Sequence, residues 1–140
     1  MLMLVKLLWL TGAAIFLVLG TLHLLYTFFT NKFNARNKEV TEAMKNTSPV
    51  LTRATTMWKA WIGFNASHSA GAIFFGLINI ILALQYFPVV QDSPSLYLLN
   101  DVTAFFYLWL GKKYWFKVPF TGILISTICF ITATIITFLG

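Results

Sequence analysis

His23 and His68 are the only imidazoles in the chain, and both fall inside long apolar runs. A polar ring in such a run is costly in lipid unless it meets protein, water or a ligand. Their neighbours are polar for their setting. His23 lies in G-T-L-H-L-L-Y-T, residues 20–27, and His68 in W-K-A-W-I-G-F-N-A-S-H-S, residues 58–69. In helical projection Trp61, Asn65, His68, Ala72 and Asn79 share one face. Gly12, Phe16, Gly20, His23 and Thr27 form a matching stripe on the first apolar run, with Tyr26 beside it. By helical rise, His23 is about 9 Å from Phe29 and His68 about 13 Å from Lys59. On neighbouring antiparallel helices the two rings are therefore depth-matched to within about one turn. Tyr107 can reach the same layer from the third run. His23, Tyr26, Thr27, Trp61, Asn65, His68 and Tyr107 form the candidate ligand-binding set.

Several chemistries suit such a set. Two neutral histidines hydrogen-bonded to Asn65, Tyr26, Thr27 or backbone would simply specify packing. An aromatic-lined cavity with a few polar groups would bind or transport a lipid or another hydrophobic small molecule. Haem b held axially by His23 and His68 is a third option, with Arg53 or Lys59 meeting the propionates. A histidine acting as acid or base in a membrane oxidoreductase or other enzyme is a fourth. A metal site is not expected, because no third ligand stands at a suitable spacing. Asp101 reads first as an outer-interface charge favoured by a helix dipole, and second as a proton or cation site. Cys129 is alone, so no intrachain disulfide forms, and it reads as a small packing residue. There is no G-x-G-x-x-G, phosphate loop, H-E-x-x-H or C-x-x-C.

The elements that must position these residues follow from composition. Only 10% of the 140 residues are charged and 59% are hydrophobic. Soluble domains carry about 25% charged residues, so there is too little polar surface here for a soluble globule. The apolar runs approach or exceed the roughly 20 residues that cross a bilayer as a helix. They lack the alternation of a barrel strand. The expected fold is all-α: one membrane domain over 1–140, with helices at about 5–29, 49–85, 94–111 and 118–139. Lys6 ahead of the first run invites a signal-peptide reading, but no small-residue cleavage site follows, so a retained helix is expected. Ser48-Pro49 and Ser93-Pro94 each read as a cap followed by proline at the first helical position. Asn34 to Met44 suggests a short interfacial helix, with Phe33, Val40 and Met44 along one side.

Net charge is +6, yet nucleic acid is not the expected partner. Of the ten Lys and Arg, Lys32, Arg36, Lys38, Lys45, Arg53 and Lys59 fall between the first two helices, and Lys112, Lys113 and Lys117 between the last two. Only Lys6 lies on the other side. This is the positive-inside pattern, with both basic loops cytoplasmic and both termini external or periplasmic. Trp58, Trp61, Trp109, Tyr114 and Trp115 would form an inner aromatic belt, and Trp9, Tyr86 and Tyr97 an outer one. Short connections favour an up-down four-helix bundle. Its seams would use small residues: Gly63, Ser67 and Gly71, or alternatively Ala72 and Gly76, on the second helix, and Gly122, Ser126, Cys129, Ala133 and Thr137 on the last. Membrane lipids are the expected partners, and a homo-oligomer is compatible with so small a bundle.

G-T-L-H-L-L-Y-T at 20–27 together with R-A-T-T-M-W-K-A-W-I-G-F-N-A-S-H-S-A-G at 53–71 resembles an uncharacterised family of small bacterial four-helix integral membrane proteins. DoxX-type proteins are similar in size and helix number. The resemblance implies a four-helix architecture and a bacterial inner-membrane location, and it carries over no catalytic residue. Small multidrug-type transporters resemble the chain less, since His23 stands where their first helix bears an embedded glutamate. The leading expectation is an inner-leaflet site between the first two helices for a hydrophobic molecule or lipid. A haem-bearing or histidine-dependent oxidoreductase and a structural partner subunit are the alternatives.

Overall fold

Backbone groups in lipid must bond within their own segment, and the apolar runs do so as helices. In the computed structural model, residues 1–139 are described. They form α1 (Leu2–Phe29), α2 (Lys38–Asn46), α3 (Met57–Gln85), α4 (Phe87–Gln91), α5 (Pro94–Tyr114) and α6 (Lys117–Phe138), with no strand among the described residues. Three of these, α1, α3 and α6, are long and apolar enough to cross a membrane. The 21 residues of α5 would extend about 30 Å, but Asn100, Asp101, Lys112 and Lys113 dilute its apolar character.

The stretch expected to hold a short interfacial helix is helical as α2, starting later than the apolar pattern suggests. Asn37 sets that start, its side chain accepting from Glu39 N at 2.9 Å. The two Ser-Pro signals part company. Ser93-Pro94 does open α5. Ser48-Pro49 does not open α3, which begins eight residues later than the expected start at 49. Residues 47–56 instead form a loop closed by Met57 N donating to Thr47 O at 2.8 Å. Inside it, Thr52 Oγ1 accepts from Ala54 N, a local turn that competes with helix. Thr56 is the residue that caps α3, its hydroxyl oxygen accepting from Lys59 N at 3.3 Å. At the other boundaries α5 runs on to Tyr114 rather than stopping near Gly111, and the 86–92 connection contains the short α4.

The chain divides into two compact units, Met1–Leu19 with Ala72–Gly140, and Gly20–Gly71. The first is built around aromatic rings. Trp9 on α1 meets Tyr97 edge-on at 4.8 Å and Phe130 at 5.5 Å, and is fully buried. Phe16 meets Phe75 at 4.7 Å and Tyr107 at 5.1 Å. Trp9 and Tyr97 are therefore core residues and no part of an outer aromatic belt. Small residues let the helices approach. Ser126 Oγ on α6 donates to Gly12 O at 2.8 Å, and a Cβ on Gly76 would lie 2.7 Å from Leu17 N. At Gly63, in the other expected seam, a Cβ would meet nothing within 4 Å, so the close approach is made at Gly76 and not at Gly63.

Polar side chains within this unit pair with one another, as a poorly hydrated interior requires. Asn79 and Asn100 exchange amide bonds at 3.0 and 2.7 Å, fully enclosed. The Tyr97 hydroxyl lies 3.1 Å from Thr137 Oγ1. Asp101 sits in the second turn of α5 and faces α6, with Thr134 Oγ1 at 2.8 Å from its Oδ2. Its Oδ1 and the Trp9 indole nitrogen are both enclosed without a partner among the described residues.

Candidate functional site

The second unit, Gly20–Gly71, holds most of the residues with chemical potential. His23 stands two turns before the end of α1. Asn65 and His68 stand one turn apart on α3. His23 Nε2 lies 2.9 Å from Asn65 Oδ1, and the two imidazoles meet edge-on with centroids 5.4 Å apart. The chain returning from α1 closes over this pair. The Phe33 ring lies against His23, centroids 4.4 Å apart and planes tilted by 38°, and its carbonyl accepts from Trp61 Nε1 at 3.1 Å. Thr27 Oγ1 donates to His23 O at 2.8 Å, and Ser69 Oγ donates to Asn65 O at 2.8 Å. Both hydroxyls are buried and satisfied within their own helices.

The tautomer of His23 follows from this geometry. Asn65 Nδ2 donates to Trp61 O at 2.8 Å, and only the amide NH2 can do so. The amide oxygen therefore faces His23, and His23 Nε2 must carry a proton to donate to it. Nε2 then has no free lone pair, and the ring's acceptor is Nδ1.

The haem reading can be tested on the same distances. Two imidazoles on opposite sides of one metal have ring centres about 6 Å apart, each metal–nitrogen bond being about 2 Å. They also need a flat gap between them. Here the ring centroids are only 5.4 Å apart, which leaves no layer for a macrocycle between them, and His23 Nε2 is committed to Asn65. His23 and His68 do not fit a haem between them. Haemin added to the purified protein should therefore give no bis-histidine Soret and reduced α-band spectrum. A stoichiometric spectrum of that kind, lost in both His23→Ala and His68→Ala, would refute this.

Of the other expected site residues, Tyr26 lies under Lys32, whose Nζ is 3.7 Å from the ring centroid. Trp61 contributes through its indole bond to the loop and through its carbonyl. Tyr107 belongs to the other compact unit, where it packs on Phe16 and Trp115.

A feature absent from the candidate set lies beside the histidines. An open groove of about 540 Å³ is bounded by the end of α1, the following loop and the start of α3. Phe28, Phe29, Phe33, Trp58 and Ile62 supply its apolar lining, and Thr27, Thr30, Asn31 and Asn34 its polar lining. Only Thr27 is shared with the expected set. Phe33 joins the two features, lining the groove while its ring covers His23. The histidines themselves do not line it. Phe33 stands between His23 and the groove. The sequence signal for the groove was the run F-F-T-N-K-F-N at 28–34, where rings alternate with amides just as an apolar helix ends. A second cavity of about 290 Å³ lies between α3 and α5 in the first unit. It is almost wholly apolar, and the Asn79–Asn100 amides beneath it already satisfy each other.

No family model, curated protein or solved structure matches the chain.

Proposed function

We propose that the protein is a multi-pass protein of the bacterial cytoplasmic membrane that binds a lipid-like amphiphile from the inner leaflet, in the groove between the end of α1 and the start of α3. In this proposal α5 is a fourth span, the four long helices run up and down, and both termini are external. The observation that carries it is the groove. Its volume of about 540 Å³ falls in the range of roughly 300–1,000 Å³ usual for small-molecule sites. Its lining pairs aromatic surface with a few hydrogen-bonding groups, which suits a molecule with an apolar body and a polar end. It opens beside the loop that bears most of the cations, the one expected at the cytoplasmic headgroups.

The ligand part is tested by native mass spectrometry of protein extracted in mild detergent. A lipid-mass adduct should persist on the native chain and be lost from Ile62→Trp, which fills the groove. Absence of any adduct, or equal adducts on the filled variant, would sink the groove reading. The topology part is tested by single cysteines in a Cys129→Ala background. Asp92→Cys should react with an impermeant maleimide in intact spheroplasts, and Asn46→Cys only after lysis. The reverse pattern would invert the proposed orientation.

A further inference from the structure

The lining of the groove carries more information than its size. Among the described residues, no ionisable side chain lines it. Its polar groups are two hydroxyls and two amides. The hydroxyl protons are already committed, Thr27 to His23 O and Thr30 to Tyr26 O, each at 2.8 Å. Thr30 Oγ1 also accepts from Lys32 N at 3.2 Å. The groups left for a ligand are the side-chain amides of Asn31 and Asn34, which have no hydrogen bond among the described residues; only their backbones meet, Asn34 N donating to Asn31 O at 3.0 Å. The nearest cation in sequence is Lys32, and it is held over the Tyr26 ring.

We propose that the groove selects an amphiphile with an uncharged, hydroxyl-bearing head, of the diacylglycerol or long-chain alcohol class, over a phospholipid. This rests on the groove reading above and names its ligand class. An asparagine side chain presents one acceptor and two donor hydrogens. Either amide can serve a hydroxyl both ways, accepting its proton at Oδ1 and donating to its oxygen from Nδ2. A phosphate placed there would be pressed against Phe28, Phe29, Phe33 and Trp58 with no cation in the lining to compensate its lost hydration. A hydroxyl loses far less hydration and recovers it from the amides. The cations of the surrounding loop then serve a different purpose. They hold ordinary anionic headgroups around the protein while the groove admits a molecule those headgroups cannot imitate.

The test is competition in native mass spectrometry with dioctanoylglycerol and dioctanoyl phosphatidic acid, which share their chains and differ in the charged group. Dioctanoylglycerol should bind at least about tenfold more tightly, a difference of about 1.4 kcal/mol. The preference should vanish in Asn31→Leu/Asn34→Leu, whose two sites are exposed and whose thermal stability should match the native chain. Lys32→Gln should leave dioctanoylglycerol binding unchanged. Equal or tighter binding of the phosphatidic acid, still blocked by Ile62→Trp, would overturn the selectivity and leave the groove standing. Binding of both probes that ignores Ile62→Trp would overturn both.

Discussion

Trp9→Ala should cost the protein about 3 kcal/mol of stability, one of the two largest losses expected from single substitutions. The indole is fully buried and contacts Tyr97 and Phe130 edge-on, so it ties α1 to both α5 and α6. In a soluble core, Trp or Phe to Ala costs roughly 3–5 kcal/mol, from lost transfer energy and from the cavity left behind. In lipid the transfer part shrinks, because acyl chains are as apolar as the core, but the lost contacts of a close-packed ring remain. The lower end of the range is therefore expected. Trp9→Phe separates packing from polarity. It keeps one aromatic ring and removes an indole N–H that is enclosed without a partner among the described residues. Burying an unpaired donor costs on the order of 1–3 kcal/mol, so its removal should offset much of the lost volume. Trp9→Phe should lie within about 1 kcal/mol of the native chain. Unfolding in mixed micelles of increasing SDS content measures both. A Trp9→Ala protein as stable as the native one would show that the aromatic cluster does not hold these helices together.

Gly76→Ala should be the second severe change, although it adds only a methyl group. The new Cβ would meet Leu17 N at 2.7 Å, Ala13 O at 2.8 Å and Leu17 Cβ at 2.9 Å. Two of the three obstacles are backbone atoms of α1, so no rotamer change relieves them. The helices must separate, which forfeits contact along the whole seam. Overpacking of this kind costs roughly 1–3 kcal/mol, and the upper part of that range applies when backbone must move. Gly63→Ala is the matched control on the same helix. Nothing lies within 4 Å of its added Cβ, and alanine favours helix over glycine by up to about 1 kcal/mol in water. It should be neutral or slightly stabilising in the SDS titration. Equal losses at the two glycines, or a silent Gly76→Ala, would remove close approach of α1 and α3 at Gly76 as a source of stability.

These substitutions mark where sequence alone stops being informative. Composition and run length were sufficient for an all-helical, membrane-compatible chain, because an uncharged apolar run has few ways to satisfy its backbone in lipid. Local chemistry was enough for the start of α5 at Pro94 and for a polar helix after α1. The helical projection placed Asn65 and His68 on one face, and the structure brings the Asn65 amide and the His68 ring against His23. Tertiary structure decided the rest. Ser48-Pro49 has the same chemistry as Ser93-Pro94, but a ten-residue loop closed from Thr47 to Met57 moved the start of α3 to the Thr56 cap. Gly63 and Gly76 are equivalent as letters, and only the path of α1 makes one of them a contact. Trp9 resembled an interfacial anchor and became the centre of a core. Only one wall of the groove has a sequence signal, the run at 28–34; that Trp58 and Ile62 complete it was decided by tertiary structure, because no periodicity relates the two walls. The physical reason is common to all of these. In water, hydrophobicity tells inside from outside, whereas in a membrane both faces of a helix are apolar, and only the fit of particular side chains selects which faces meet.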